Sequence, residues 1–170
     1  ARMTMELWAQ IKDADWALVA ESGIMSDWTS RLWSFEKHYQ SLGGSGGAGV
    51  GYGAPAAVGA ALANKKHGRL SVTIQGDGDF LYAPGVWWTA AHHRIPLLAV
   101  MHNNRAYHQE VMHVQRMANR HNRGITRAHI GTTIDDPNVD FAKIAQGMGV
   151  HAQGPITNPN DLAPAIARAL

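Results

Sequence analysis

Two short polar segments of the sequence carry side chains suited to binding a metal ion and a phosphate. The first has the sequence GDGD at residues 76–79, the second has NNRA at residues 103–106, and each follows an apolar run. The Asp77 carboxylate and the Asn104 side-chain amide are hard oxygen ligands, of the kind that Mg²⁺ and Ca²⁺ prefer. The glycines beside Asp77 leave backbone N–H groups accessible to a phosphate. These residue types predict a divalent cation that joins protein oxygens to a diphosphate.

Each segment alone is also an ordinary turn sequence, so the elements around it matter. Short apolar runs predict four buried parallel strands, at Trp16–Ala20, Leu70–Ile74, Leu97–Met101 and Gly149–Ala152. Helix-like stretches lie among these runs, with predicted starts at Pro55, Pro84, Asp136-Pro137 and Asn158-Pro159. This alternation predicts an α/β fold, a three-layer arrangement in which helices flank a parallel sheet. Ligands of such folds bind at the carboxyl ends of strands, where both polar segments would lie.

The composition excludes several classes of protein. The chain has 170 residues, the usual size of one domain, and no cysteine. A disulfide scaffold, a cysteine-ligated zinc site, an iron–sulfur cluster and a thiol nucleophile are therefore ruled out. No apolar run approaches the roughly 20 residues that span a bilayer. We expect a soluble, cytoplasmic protein that makes no membrane contact.

Arginines are concentrated between residues 105 and 130, where five of them accompany a single acidic residue, Glu110. Nucleic-acid binding is not expected, because the aromatic side chains that would stack on bases lie elsewhere. The stretch is interpreted as a solvated or interdomain surface. The alternative is a mobile lid over an acidic substrate.

Other familiar motifs lack the context that they need. The sequence GSGGAG at 44–49 matches the dinucleotide-binding fingerprint literally, but polar residues precede it and no acid occurs between Gly44 and Asp77. A nicotinamide site is therefore not predicted. No Walker-type Gly-Lys-Ser/Thr occurs, and no His-x-x-x-His pair lies beside a carboxylate. Neither a nucleotide-binding P-loop nor a histidine-bound metal is predicted.

Taken together, the two polar segments resemble a family signature. Gly-Asp-Gly, 24 further residues and then Asn-Asn, each motif behind an apolar strand, is similar to the signature of thiamine diphosphate enzymes. The glycine-rich stretch at 45–60, which leads into a Pro-Ala-Ala helix, is also similar to that family. The chain thus resembles, from about Ala9 to Leu170, the diphosphate-binding domain of the acetolactate synthase, benzoylformate decarboxylase and pyruvate decarboxylase group. The resemblance implies the thiamine diphosphate-binding fold.

The resemblance implies a set of ligands. The Asp77 carboxylate, the Asn104 side chain and the Ala106 backbone carbonyl would bind Mg²⁺. The cofactor's diphosphate would be held around Asn104 and by the backbone at three positions, which are Gly76, Gly78 and Asp79. Asp79 departs from the small Ser or Ala that often follows Gly-Asp-Gly, and a carboxylate beside a diphosphate is repulsive unless it points away or binds water.

The resemblance also implies residues around the reacting part of the cofactor. The Ala48 carbonyl falls where the family accepts a hydrogen bond from the cofactor's 4′-amino group, and Gly49 lies in the same turn. Val50 falls at the aliphatic wedge that bends the cofactor, although it is smaller than the usual Leu, Met or Ile. Glu110 matches the position of a catalytic glutamate in pyruvate decarboxylase-like members. A solvated helix glutamate is its alternative interpretation.

The expected activity is cleavage or ligation of a C–C bond next to a carbonyl, with thiamine diphosphate and Mg²⁺, in a 2-oxo acid or with an acyl-coenzyme A substrate. The family also needs a pyrimidine-binding domain or subunit that supplies a glutamate to the cofactor's N1′ atom. Residues 1–170 form a single diphosphate-binding domain, so we expect a piece of a longer homodimeric or homotetrameric enzyme, or one subunit of a split decarboxylase. The alternative is an inert cofactor-binding or oligomerisation module.

Overall fold

Three parallel strands form the sheet that carries both polar segments. The computed structural model describes residues 1–21, 26–45, 47 and 49–170. Within them the strands are β1 (Trp16–Glu21), β2 (Leu70–Gly76) and β3 (Leu98–His102), in the order β1-β2-β3. The register pairs Gly76 with His102, so β2 and β3 end side by side.

Helices precede, connect and follow the strands. In the described part of the chain they are α1 (Arg2–Ile11), α2 (Ser26–Leu32), α3 (Gly53–Lys65), α4 (Asp77–Tyr82), α5 (Val86–His92), α6 (His108–Arg120), α7 (Phe141–Gly147), a 3₁₀ turn (Pro159–Asp161) and α8 (Leu162–Ala169). The parallel sheet flanked by helices confirms the predicted α/β class. No helix among the described residues is long and apolar enough to cross a membrane.

The central strand β2 is buried on both faces, as expected for a strand covered by helices on each side. Val72 and Ile74 face a core that includes Leu7 and Ile11 of α1. On the opposite face, the Asn64 side chain of α3 donates a hydrogen bond to the Ser71 hydroxyl. This packing fixes the end of β2, and with it the position of the residues that follow.

Helix α3 lies close to the sheet because its inner face consists of small residues. Ala54, Ala57 and Ala61 recur at helical spacing, and all three are fully buried. Alanine also favours the helix intrinsically, since it loses no side-chain entropy on folding. The helix begins at Gly53, two residues earlier than the predicted start at Pro55.

The strand predicted at Gly149–Ala152 is absent from the sheet, and this prediction is wrong. Gly149, with φ +84°, and Val150 instead end helix α7, where the Val150 N–H donates to the Ala145 carbonyl. The Val150 N–H therefore caps a helix instead of extending the sheet. A mainly apolar cavity of about 990 Å³ is lined by β3 and by the chain after this turn.

Predicted helix starts have mixed outcomes. The Asn158 side chain accepts a hydrogen bond from the Asn160 N–H, and Pro159 opens the 3₁₀ turn before α8, as predicted. The predicted start at Asp136-Pro137 is wrong, because α7 begins at Phe141. Asp140 caps that helix by accepting a hydrogen bond from the Lys143 N–H. Helix α5 begins at Val86, two residues after Pro84.

Replacing Ile74 by alanine should test the core that positions the site. Ile74 is fully buried in β2, so its truncation leaves a cavity and should lower the free energy of unfolding by about 2–5 kcal/mol. Urea denaturation followed by circular dichroism measures this change. As a control, Leu62→Ala in α3, at a side chain that is 55% exposed, should change it by less than about 0.5 kcal/mol. Equal effects of the two substitutions would contradict this account of the core.

Candidate functional site

The two polar segments meet at the carboxyl ends of β2 and β3, as the sequence predicted. Asp77 is the first residue of α4, directly after β2. Its Oδ2 atom accepts a hydrogen bond of 2.6 Å from the backbone N–H of Arg105, which lies 28 residues further along the chain. One carboxylate therefore joins the GDGD and NNRA segments.

Asp77 is a buried carboxylate, with 2% of its surface exposed. Its Oδ1 atom accepts a hydrogen bond from the Gly78 N–H at 3.0 Å. Across residues 1–21, 26–45, 47 and 49–170, no basic side chain forms an ion pair with it. A buried charge is costly unless it is paired or coordinates a metal ion. The chemistry of this position suits a cation.

Arg105 turns the second segment toward Asp77. Its φ is +57°, in the left-handed region that residues other than glycine rarely occupy. In this conformation its N–H donates to Asp77, and its carbonyl accepts a hydrogen bond of 2.7 Å from the Ile134 N–H. Sequence reasoning missed this backbone role, because an arginine gives no local signal for positive φ.

Asn104 and Ala106 flank Arg105, and both lie beside the carboxylate's backbone partner. The exposed Asn104 accepts a hydrogen bond at its Oδ1 atom from the Ala106 N–H, at 3.0 Å. Ala106 forms an antiparallel bridge with Thr133, and the bridging hydrogen bonds involve its neighbours Arg105 and Tyr107. The Ala106 carbonyl consequently points away from that bridge. The predicted ligands Asp77, Asn104 and Ala106 thus lie at one edge of the sheet.

The glycine-rich turn packs against α4. Gly51 has φ +81°, and a Cβ atom there would lie 2.5 Å from the Cβ of Tyr82, so only glycine allows this approach. The Gly51 N–H donates a hydrogen bond of 2.9 Å to Oδ1 of Asp79. The Asp79 side chain, whose role the sequence left open, therefore points to the glycine-rich turn.

The predicted residues of that turn have different placements. The Gly49 N–H donates to the Ser45 hydroxyl at 3.0 Å, and Val50 is 55% exposed. Ala48 lies outside the described residues. The Val50 side chain, which is predicted to act as the wedge, is therefore exposed and lies next to Gly51.

Tyr107 covers Gly78 at the start of α4. A Cβ atom on Gly78 would lie 2.7 Å from Cδ1 of Tyr107, so the ring contacts the backbone directly. Burial raises the pKa of Tyr107, and the nearby Tyr82, Asp77 and Glu110 raise it further. The phenol therefore stays protonated near neutral pH. Its ring also makes an edge contact with Tyr82, with 6.1 Å between the ring centroids.

Glu110 lies in the first turn of α6, at the same edge of the sheet, and its side chain is exposed. The described residues do not enclose this carboxyl. Its catalytic role stays a prediction.

Histidine-rich or carboxylate-rich metal sites are not seen in the part of the chain that the structure describes. No group of three or more His, Cys, Asp or Glu side chains is placed there to hold a metal ion. The ligand set predicted at Asp77 is of a different kind, since it combines one carboxylate, one amide and one backbone carbonyl.

Comparison with known proteins identifies the family. Residues 21–170 match the profile described as "Thiamine pyrophosphate enzyme, C-terminal TPP binding domain". The chain belongs to this family. It is a thiamine pyrophosphate-binding domain, related to domains of acetolactate synthase and benzoylformate decarboxylase.

Individual relatives agree with this assignment. Benzoylformate decarboxylase of Pseudomonas aeruginosa is 34% identical over 122 residues, which is 72% of this chain and 21% of that protein. Chloroplastic acetolactate synthase 1 of Zea mays is 28% identical over 147 residues, or 84% of this chain and 22% of that protein. The solved thiamine diphosphate-dependent 4-hydroxybenzoylformate decarboxylase of Rhodococcus jostii RHA1 superposes with a TM-score of 0.76 at 25% identity, covering 99% of this chain and 30% of that one. The chain thus spans about a fifth of the length of the curated relatives.

Gly51→Ala should show that the glycine-rich turn depends on its contact with α4. The substitution forces positive φ on alanine and places its Cβ against Tyr82, so we expect a loss of more than about 1 kcal/mol in the free energy of unfolding. Gly59→Ala is the matched control, because Gly59 lies in helix α3 with open space around it. It should increase stability by about 0.5–1 kcal/mol. Thermal and urea unfolding measure both, and a neutral Gly51→Ala would disprove the close approach.

Proposed function

We propose that this domain binds thiamine diphosphate together with Mg²⁺, in an enzyme that breaks or forms a C–C bond next to the carbonyl of a 2-oxo acid. The proposal rests mainly on the Asp77 carboxylate. It is buried without an ion pair among the described residues, and it contacts the segment that contains Asn104. Oxygen ligands of this type suit Mg²⁺, which also binds diphosphate oxygens and water.

The proposed cation ligands are the Asp77 carboxylate, the Asn104 amide oxygen and the Ala106 carbonyl. Asn104 and the backbone at Gly76, Gly78 and Asp79 would hold the diphosphate. Tyr107, packed on Gly78, fixes the path of this backbone. When bound, thiamine diphosphate supplies a carbon nucleophile for the substrate carbonyl. The protein's part is to bind and orient it.

Other residues would act near the reacting carbon. Val50 would support the bent form of the cofactor, and the Ala48 carbonyl would accept a hydrogen bond from its 4′-amino group. Glu110 would hold or transfer a proton at the reacting carbon, which is the former carbonyl carbon of the substrate, once a further domain covers its exposed side chain. That domain, the pyrimidine-binding one, would also supply the glutamate for N1′, within a homodimer or homotetramer.

The relatives support a 2-oxo acid as the substrate class. Two of them are decarboxylases whose names specify benzoylformate or 4-hydroxybenzoylformate, and another is an acetolactate synthase. We propose a decarboxylase or an acetolactate synthase-like transferase. Both begin with the same attack on a 2-oxo acid.

Removing the Asp77 charge should weaken Mg²⁺-dependent cofactor binding. We expect Asp77→Asn to keep the approximate side-chain shape but to reduce the affinity for thiamine diphosphate in Mg²⁺ at least tenfold, because charged ligands dominate divalent-cation binding. Isothermal titration calorimetry, with Mg²⁺ or with a chelator, measures the effect. Asp77→Ala should lose the Mg²⁺-dependent part altogether.

Asp13→Ala is the matched control for these variants, because Asp13 is exposed and precedes β1, at the opposite end of the sheet. It should bind like the unsubstituted chain. An unchanged affinity in the Asp77 variants would contradict the metal assignment. Absence of binding by the unsubstituted chain would instead favour an inert assembly module.

The 170-residue chain alone should not turn over a 2-oxo acid. The proposed pyrimidine-side glutamate would come from another domain, so we expect no product from pyruvate or benzoylformate with thiamine diphosphate and Mg²⁺. Product formation is followed by chromatography and carbon dioxide release. Turnover by this chain would show that a second domain is not required.

A further inference from the structure

Asp79 connects the glycine-rich turn to the segment that would bind the cation and the diphosphate. Its Oδ1 atom accepts the Gly51 N–H at 2.9 Å, across 28 residues of sequence. We propose that Asp79 is a positioning residue, which holds the turn at 49–52 so that Val50 meets the bound cofactor in a fixed place. This inference rests on the proposed function and assigns a role to a side chain that departs from the family pattern.

Helix α4 gives this connection its geometry. Its first residue, Asp77, is tied to Arg105 after β3, whereas Asp79 is tied to Gly51. Tyr82, the last residue of the helix, packs against the same glycine. One six-residue helix thus contacts both the cation side of the site and the turn that carries Val50.

The turn has few other attachments among the described hydrogen bonds. The Gly49 N–H bonds to Ser45 at 3.0 Å, and the Tyr52 N–H bonds to the Gly49 carbonyl at 3.4 Å. The Tyr52 carbonyl accepts a hydrogen bond of 3.0 Å from the Ala56 N–H of α3. All three bonds join residues close in sequence, so none of them links the turn to α4. Asp79 supplies a directional bond to a more distant element, and the contact of Tyr82 with Gly51 adds packing but no hydrogen bond.

The charge of Asp79 and its acceptor oxygen have opposite effects on cofactor binding. A carboxylate near a diphosphate repels it, whereas the acceptor oxygen holds the turn. Asp79→Asn and Asp79→Ala both remove the charge, but only asparagine keeps an oxygen that can accept the Gly51 N–H. The difference between these two variants therefore isolates the hydrogen bond.

Calorimetry on the 170-residue chain in Mg²⁺ tests the proposal with two ligands. Inorganic pyrophosphate probes only the diphosphate site, whereas thiamine diphosphate also meets Val50. We expect Asp79→Ala to bind thiamine diphosphate about tenfold more weakly than Asp79→Asn, in line with the loss of one hydrogen bond. The two variants should bind pyrophosphate equally, within about twofold.

Hydrogen exchange gives a readout that does not depend on any ligand. The Gly51 amide should exchange faster in Asp79→Ala and remain protected in Asp79→Asn. Equal thiamine diphosphate affinities in the two variants, or an equal loss of pyrophosphate binding in Asp79→Ala, would overturn the positioning role alone. Failure of the unsubstituted chain to bind either ligand would overturn the proposed function and this inference together.

Discussion

The hydrogen bond between the Asp77 carboxylate and the Arg105 N–H is the interaction on which the site depends. It joins two residues that are 28 positions apart in the sequence and that follow neighbouring parallel strands. It also brings Asn104 and Ala106, the neighbours of Arg105, close to the carboxylate. The parallel register of Gly76 with His102 makes the bond possible, because both strands end at the same level. The core around β2 therefore contributes to the site by fixing the positions at which β2 and β3 end.

The second constraint at the carboxyl ends of the strands is the close approach of glycine backbone to tyrosine side chains. Gly51 lies against the Cβ atom of Tyr82, and Gly78 lies against the ring of Tyr107. Both distances are too short for a residue with a Cβ atom. Tyr82 and Tyr107 thus act as rigid supports, and their rings also contact each other. The glycines of this chain are therefore required by packing as well as by any phosphate that binds to their N–H groups. Asp79 adds the directional bond that packing alone does not give.

Much of the arrangement could be predicted from residue patterns. The apolar runs in β1, β2 and β3 are short, so their strands were identified to within a residue or two at each end. The predicted burial of β3 is wrong, because this strand lies at the edge of the sheet and is only partly buried. The strand predicted at Gly149–Ala152 is wrong, because Gly149 adopts a positive φ that ends helix α7 and the Val150 N–H caps that helix. The helix start predicted at Asp136-Pro137 is wrong for a related reason. A capping dipeptide marks a helix only where a helix follows directly, and here Asp140 has that role.

The sequence by itself determined the α/β class, the two motifs and the family, since these follow from local residue types, their order and their spacing. Only the tertiary structure decided that Asp77 is buried and bonded to Arg105, that Asp79 faces Gly51, and that Glu110 is exposed. These facts depend on which groups approach one another across many residues of chain. Local preference does not encode such contacts: nothing about an arginine predicts the positive φ that turns its N–H toward a carboxylate.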